Sequence, residues 1–187
     1  MNIFGEYVAA PDAVRTAEKK LFRDGVSEDA LIERAAGKLA SAVKAAANRE
    51  EKIIVVAGGG NNGCDGLECA RILKADGYDV SVFSASGKKN SGNAARLQKL
   101  SGLGVPFLTC VQKGLYKVAV DCVFGIGLSR APLGDEERAI KEINESGAYI
   151  ISADVPSGLD AYSGHAPGVC VRADETVTFT AVKCGLI

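Results

Sequence analysis

The sequence predicts an α/β fold: a mostly parallel central sheet covered on both faces, with helices placed ahead of it. Two observations carry this. From Glu51 onward, short runs rich in valine and isoleucine alternate with helical stretches, the pattern of parallel strands buried on both sides. Before Glu51 the apolar residues recur at helical spacing instead. The 187 residues, 47% of them hydrophobic, are enough for one domain with a full core.

Taken in order, PDAVRTAEKKLFRDG reads as a short helix ending at Gly25. In SEDALIERAAGKLASAVKAAA, Leu31, Ala35, Leu39 and Val43 share a helical face. Ser27 is the expected N-cap, with Ala30 three residues on, and Glu28 and Asp29 suit the positive end of the helix dipole. Strands are expected at 53–58 (IIVVAG), 79–85 (DVSVFSA), 105–109 (VPFLT), 118–125 (VAVDCVFG), 149–155 (YIISADV) and 175–182 (ETVTFTAV). Three of the intervening stretches read as helices: CDGLECARILKADG, SGNAARLQKLSG and GDEERAIKEINESG.

The bulk properties exclude several classes. A net charge of −1 with no basic tract offers no field for nucleic acid. No apolar run approaches the ~20 residues of a membrane span, and MNIFGEYVAAPDAV lacks the basic start and long apolar stretch of a signal peptide. Cys64, Cys69, Cys110, Cys122, Cys170 and Cys184 are scattered without a C-x-x-C pair, so reduced, mostly buried thiols in a cytoplasmic protein are expected. Zinc is disfavoured, because His165 is the sole histidine and no ligand spacing appears.

In a parallel sheet, ligands bind outside the carboxyl ends of the strands. Three loops therefore matter. The first, GGGNNGCDG, contains G-x-G-x-x-G at Gly58, Gly60 and Gly63, which reads either as room for a dinucleotide or as a tight strand-to-helix turn. A dehydrogenase is disfavoured: the next strand ends FSASG, without an acid for a ribose, and Asp65 at the expected helix entrance would repel a pyrophosphate. Asn61 and Asn62 suit sugar hydroxyls, amides or a hard cation. The second loop, VDCVFGIGLSRAPLG, carries Asp121 inside an apolar strand, where it must meet a donor or a cation, or else cap a neighbouring loop. Its GIGLSRA turn adds backbone donors, Ser129 and Arg130. The third, ADVPSGLDAYSG, places Asp154 at a strand end and exposes Ser157 and Gly158 after Pro156. Ser157 is a weak nucleophile candidate, outside any G-x-S-x-G elbow and with only His165 as an imidazole base.

Brought to one edge, Asp65, Asp121 and Asp154 would repel unless a positive group sits among them or one is protonated. A monovalent cation with oxygen ligands fits: an Asn amide oxygen, Asp121, the Ser157 hydroxyl and backbone carbonyls. Asp154 is then the preferred general acid or base on a nucleotide-like ligand, with no reducing cofactor required.

GGGNNGCDG, VDCVFGIGLSR, ADVPSGLDAYSG and ADETVTFTAVKCGL, in this order and spacing, resemble the motifs of the YjeF N-terminal domain family, the NAD(P)H-hydrate epimerases; ALIERAAGKLA resembles that family's N-terminal helix. The resemblance covers nearly all of residues 1–187. It implies a Rossmann-like three-layer αβα sandwich, often dimeric, that interconverts the R and S forms of hydrated NADH and NADPH at nicotinamide C6. It also implies an ATP- or ADP-dependent dehydratase, fused or separate, that restores the S hydrate. By the same resemblance Asn61, Asn62, Gly63, Cys64 and Asp65 touch substrate, as do Gly125, Ile126, Gly127, Leu128, Ser129, Arg130, Ala131 and Asp154. Asn62, Asp121 and Ser157 would bind a potassium ion, and Asp154 would be the acid/base residue. Three positions depart from the family pattern: Cys64 for a glycine, Ile126 for a threonine and Cys184 for a proline. Cys64 is expected to crowd its loop or demand an unusual φ. Relatives normally continue past Gly185-Leu186-Ile187, so a shortened chain or a fragment of a bifunctional enzyme is expected. The competing readings are a non-catalytic binding or scaffold module of the same fold and, more remotely, an NAD-dependent oxidoreductase.

Overall fold

A computed structural model describes all residues except 1, 4, 5 and 129, with the side chains of 2, 3 and 6 also left out. The main sheet contains β3 (Ile53–Ala57), β4 (Val80–Ser84), β5 (Phe107–Leu108), β6 (Val118–Cys122), β7 (Tyr149–Ala153) and β8 (Glu175–Val177). Their order is β5-β4-β3-β6-β7-β8, and every pairing is parallel. The chain runs outward from β3 through β4 to β5, then returns to place β6 beside β3. The carboxyl ends of β3 and β6 therefore form the switch point where such sheets bind ligands.

The two faces are covered as the alternation of apolar residues requires. Ile53 and Val55 face α2 (Glu28–Ala46), α3 (Asn61–Ala75) and α4 (Ser91–Gly102), through Leu39, Leu73 and Leu100 among others. Ile54 and Val56 face α5 (Asp135–Glu145) through Ala139, Ile140 and Ile143. This is the expected αβα sandwich. Ser27 caps α2 as expected, its hydroxyl accepting from the Ala30 N–H at 3.1 Å.

The expected strand at 175–182 breaks in two. After β8 the chain reverses at Thr180, whose φ is +65°, and Val182–Lys183 (β9) joins a separate sheet with β1 (Asn2–Ile3) and β2 (Glu6–Ala9). Neither amino-terminal strand was evident in the sequence. β9 pairs in parallel with β2, setting Lys183 opposite Ala9. α1 (Pro11–Arg23) begins two residues beyond, so the first helix starts next to Lys183. The strand expected at 105–109 shrinks to Phe107–Leu108 at the sheet edge, because Pro106 has no N–H to donate. α3 starts at Asn61, four residues before the expected entrance, so Asp65 lies one turn inside it.

Candidate active site

The site forms where the loops after β3, β6 and β7 meet. The glycines of the first loop serve mostly to pack protein against protein. A Cβ at Gly58 would run into the Val123 carbonyl, at Gly59 into the Lys88 carbonyl and at Gly63 into the Gly58 carbonyl. Gly60, the N-cap of α3, faces open space, so the opening for a ligand at this helix end lies there. Asn61 is tied outward, its amide donating to Glu28 at 2.7 Å and its oxygen accepting from Asn90 at 3.2 Å. Asn62 points the other way: both its amide nitrogen and oxygen are buried without a hydrogen-bond partner within the protein, which leaves both free to bond a ligand or a water.

Asp154 stands opposite. It leaves β7 with φ +68° and is only 9% exposed. The Val155 N–H donates across it to the Ala153 carbonyl at 2.8 Å, closing a tight three-residue turn. Such a backbone costs on the order of 1–3 kcal/mol for a residue with a side chain, and it persists where the surroundings over-determine it. One Asp154 oxygen pairs with Lys183, and the other accepts from the Ile126 N–H at 3.3 Å. A Cβ at Gly125 would sit 2.9 Å from Asp154 Oδ2 and 3.4 Å from Asn62 Oδ1. Gly125 thus keeps the space between the two side chains open.

Lys183 was not singled out by sequence reasoning, although it lies in the fourth motif. It is 0% exposed. Its ammonium donates to Asp154, to the Phe179 carbonyl at 2.6 Å and to Thr178 Oγ1 at 3.0 Å, which uses all three of its protons. The charge expected among the carboxylates is therefore supplied by the chain itself. Glu18 was missed too, for it sits on a polar helix face with no motif around it. It is half-buried, and burial first, then the Asp154 carboxylate, raise its pKa while Lys183 and Arg15 pull it back. Burial, and next the Asp154 carboxylate, push Asp65 well above the ordinary carboxylate range, which favours its neutral, proton-donating form.

Asp121 takes the capping role among the alternatives open in the sequence. It is 0% exposed and lies beneath the cleft rather than in it. Oδ2 accepts from Ser152 Oγ and the Ser157 N–H, both at 2.8 Å; Oδ1 accepts from Ser157 Oγ at 2.5 Å and the Val123 N–H at 3.2 Å. Burial raises its pKa against the pull of these donors. Ser157 is also fully buried and accepts from the Phe124 N–H at 2.8 Å. It cannot reach a substrate, and His165 lies exposed on the following loop; the nucleophile reading ends there.

In the second loop, Ile126 works through its backbone: its N–H holds Asp154 and its carbonyl accepts from Arg15 of α1 at 2.8 Å. Arg130 turns to Glu136 at 3.2 Å and the Ala131 carbonyl at 3.0 Å. Gly127 is open, the Leu128 N–H closes a turn onto Gly125 at 3.4 Å, and Ser129 lies outside the described residues. Cys64 does not need an unusual φ: it lies in the first turn of α3 and is buried, its thiol 3.6 Å from Asn90 Oδ1. Cys184 is exposed in a 3-10 turn (Cys184–Leu186). All six cysteines are free, three of them buried. Among the described residues no cluster of three His, Cys, Asp or Glu side chains could hold a metal, and no helix is long and apolar enough to cross a membrane.

The switch-point edge of this parallel α/β domain gathers a lysine-paired aspartate, further carboxylates and an unpartnered asparagine, side chains whose chemistry suits acid/base work on a polar ligand. Residues 28–185 match the model described as YjeF-related protein N-terminus, and the chain belongs to that family. It is 35% identical over 185 residues to the NAD(P)H-hydrate epimerase of Oenococcus oeni, covering 97% of this chain and 88% of the relative. It is 39% identical over 173 residues to the bifunctional NAD(P)H-hydrate repair enzyme Nnr of Thermofilum pendens, covering 86% of this chain but 33% of the relative. The fold is shared with the crystal structure of yeast ynu0, YNL200c, at a TM-score of 0.86 and 24% identity over 96% of this chain and 83% of that one.

Proposed function

We propose that this chain is an isomerase, an NAD(P)H-hydrate epimerase that interconverts the R and S hydrates of NADH and NADPH at nicotinamide C6. The relatives' names support the reaction, and the geometry around Asp154 supports the residue that performs it. The observation that carries the assignment is the strained, lysine-paired Asp154 facing Asn62 across the gap kept open by Gly125.

C6 of the hydrate bears both the hydroxyl and the ring nitrogen. Removal of the hydroxyl proton by the Asp154 carboxylate lets the C6–N1 bond open to an aldehyde, with its electron pair passing to nitrogen. Reclosure on the other face forms the same bond again and returns the proton to the oxygen, so the centre inverts and nothing is consumed. One group acts as base and then as acid. Lys183 keeps Asp154 oriented, and a neutral Asp65 offers a hydrogen bond to the ligand.

A potassium ion is part of this reading. Asn62, Asp121 and Ser157 would hold it, and its charge would help fix the ligand and the loops. The unpartnered Asn62 oxygen fits. Asp121 fits once the Ser157 hydroxyl proton turns from Asp121 Oδ1 to the Phe124 carbonyl, 3.2 Å away, freeing an acceptor site. Because Lys183 already answers the carboxylate charge, Asn62 is the support for the ion.

The protein is further read as a cytoplasmic homodimer acting beside an ADP- or ATP-dependent dehydratase, separate or fused. The test is a mixture of R and S NADHX with an S-specific dehydratase. The chain is expected to speed consumption of the R form, and Asp154→Asn to lower that rate by about 100-fold or more. A parent with no effect on the R form would overturn the assignment. Replacing potassium with a bulky organic cation is expected to slow the parent but not an Asn62→Ala variant; equal slowing of both would remove Asn62 from the ion site.

A further inference from the structure

Resting on the epimerase reading, we propose that the loop Ser86–Asn90 makes this a site for the 2′-phosphorylated hydrate, NADPHX, in preference to NADHX, with Lys88 and Lys89 pairing the phosphate. The reacting end of the ligand is placed by Asp154, Asn62 and Gly125 beyond β6 and β7. Its other end must then extend across the open N-terminus of α3 at Gly60 toward β4. In parallel sheets of this kind, the strand beside the glycine-loop strand ends where the adenosine ribose lies. An acid there binds the free hydroxyls, and a base accommodates a 2′-phosphate.

β4 ends at Ser84, and the chain continues Ala85-Ser86-Gly87-Lys88-Lys89-Asn90 with no acid. The loop is joined firmly to the glycine loop. The Asn90 N–H donates to the Gly59 carbonyl at 3.1 Å. The buried Asn93 side chain donates to the Gly59 and Gly60 carbonyls at 3.0 and 2.9 Å. Gly59 has no room for a side chain because the Lys88 carbonyl occupies it. The Lys88 backbone is thereby held against Gly59, one residue before the open helix end, and both lysines are exposed. Neither is in an ion pair among the described residues, whereas the acids at the adjoining end of α2 are engaged, Glu28 by Asn61 and Asp29 by Arg96. The opposite end of the cleft holds the Glu18 and Asp154 carboxylates and would repel a phosphate. Charge therefore orients the ligand as well as selecting it.

The experiment compares kcat/KM for R-NADPHX and R-NADHX in the coupled assay, with the parent and with Lys88→Ala/Lys89→Ala, alongside calorimetric titration of the parent with adenosine 2′,5′-bisphosphate and with AMP. The expected preference for NADPHX is about fivefold at low salt, shrinking at high salt as screening of exposed charges requires. The double variant should lose that preference by slowing NADPHX alone, and the bisphosphate should bind the parent more tightly than AMP. Equal kcat/KM values in the parent, an equal loss for both substrates in the variant, or equal affinities for the two nucleotides would overturn the proposal. Should neither hydrate be turned over, the epimerase reading fails, and the ratio of the two nucleotide affinities still decides whether the loop recognises a 2′-phosphate.

Discussion

The Asp154–Lys183 pair is the residue-scale centre of the molecule, and its energetics are asymmetric. Removing the aspartate leaves a buried ammonium with two neutral partners; removing the lysine leaves a buried carboxylate beside Asp65 and Glu18. Lys183→Met is expected to cost about 3 kcal/mol, and adding Asp154→Asn to it is expected to recover part of that loss. Denaturant unfolding of the singles and the double gives the coupling; additive losses would show that the two charges do not interact. Asp65 has the opposite sign. Its folded pKa lies well above the ordinary 3.8, so ionisation opposes folding. The penalty is absent below the unfolded value and grows as pH rises toward the folded one. Asp65→Asn should therefore stabilise the fold by about 1 kcal/mol or more near pH 7 and by almost nothing near pH 3, while slowing epimerisation. A variant whose gain did not grow with pH would contradict the burial argument.

At the scale of elements, α3 is positioned by one glycine outside the G-x-G-x-x-G spacing. A Cβ on Gly66 would meet Cys122 Cβ at 2.6 Å and Cys122 Sγ at 2.7 Å, so α3 rests directly on β6. Gly66→Ala is expected to destabilise by about 1–3 kcal/mol through overpacking, and because α3 carries Asn62 and Asp65, activity should fall with stability. Cys122→Ala in the same chain removes only the sulfur and should restore part of both, read by thermal unfolding and the coupled assay. α1 is the contrasting element. Only Pro11 and Val14 of its residues are buried, yet Arg15 holds the Ile126 carbonyl and Glu18 reaches the carboxylates. It closes over the site while contributing little to the core.

For the whole molecule this implies an order of opening. The parallel sheet and its two apolar layers form the cooperative unit, and α1 belongs to the low end of local stability. Hydrogen exchange is expected to be fastest in α1 and to slow there when NADPHX is bound, with β3 and β6 protected throughout; equal protection of α1 and the sheet would refute the ordering. Much of this architecture was legible in the sequence, because burial of alternating Val and Ile runs on both faces admits few solutions. The switch-point edge and its three loops followed from it, and the cap at Ser27 from the residues that open α2. The sequence by itself thus determined the sheet, its layers and the residue types available for chemistry. Tertiary structure alone decided which of them meet. It put Asp121 beneath the cleft instead of in it, and it started α3 at Asn61. It also broke the strand predicted at 175–182 so that Lys183 folds back onto Asp154. The physical reason is that periodicity records which way a side chain faces, whereas pairing of buried charges depends on contacts between distant segments. Lys183 and Glu18 meet the Asp154 carboxylate only because a reversal at Thr180 and a helix that follows Ala9 bring them to it.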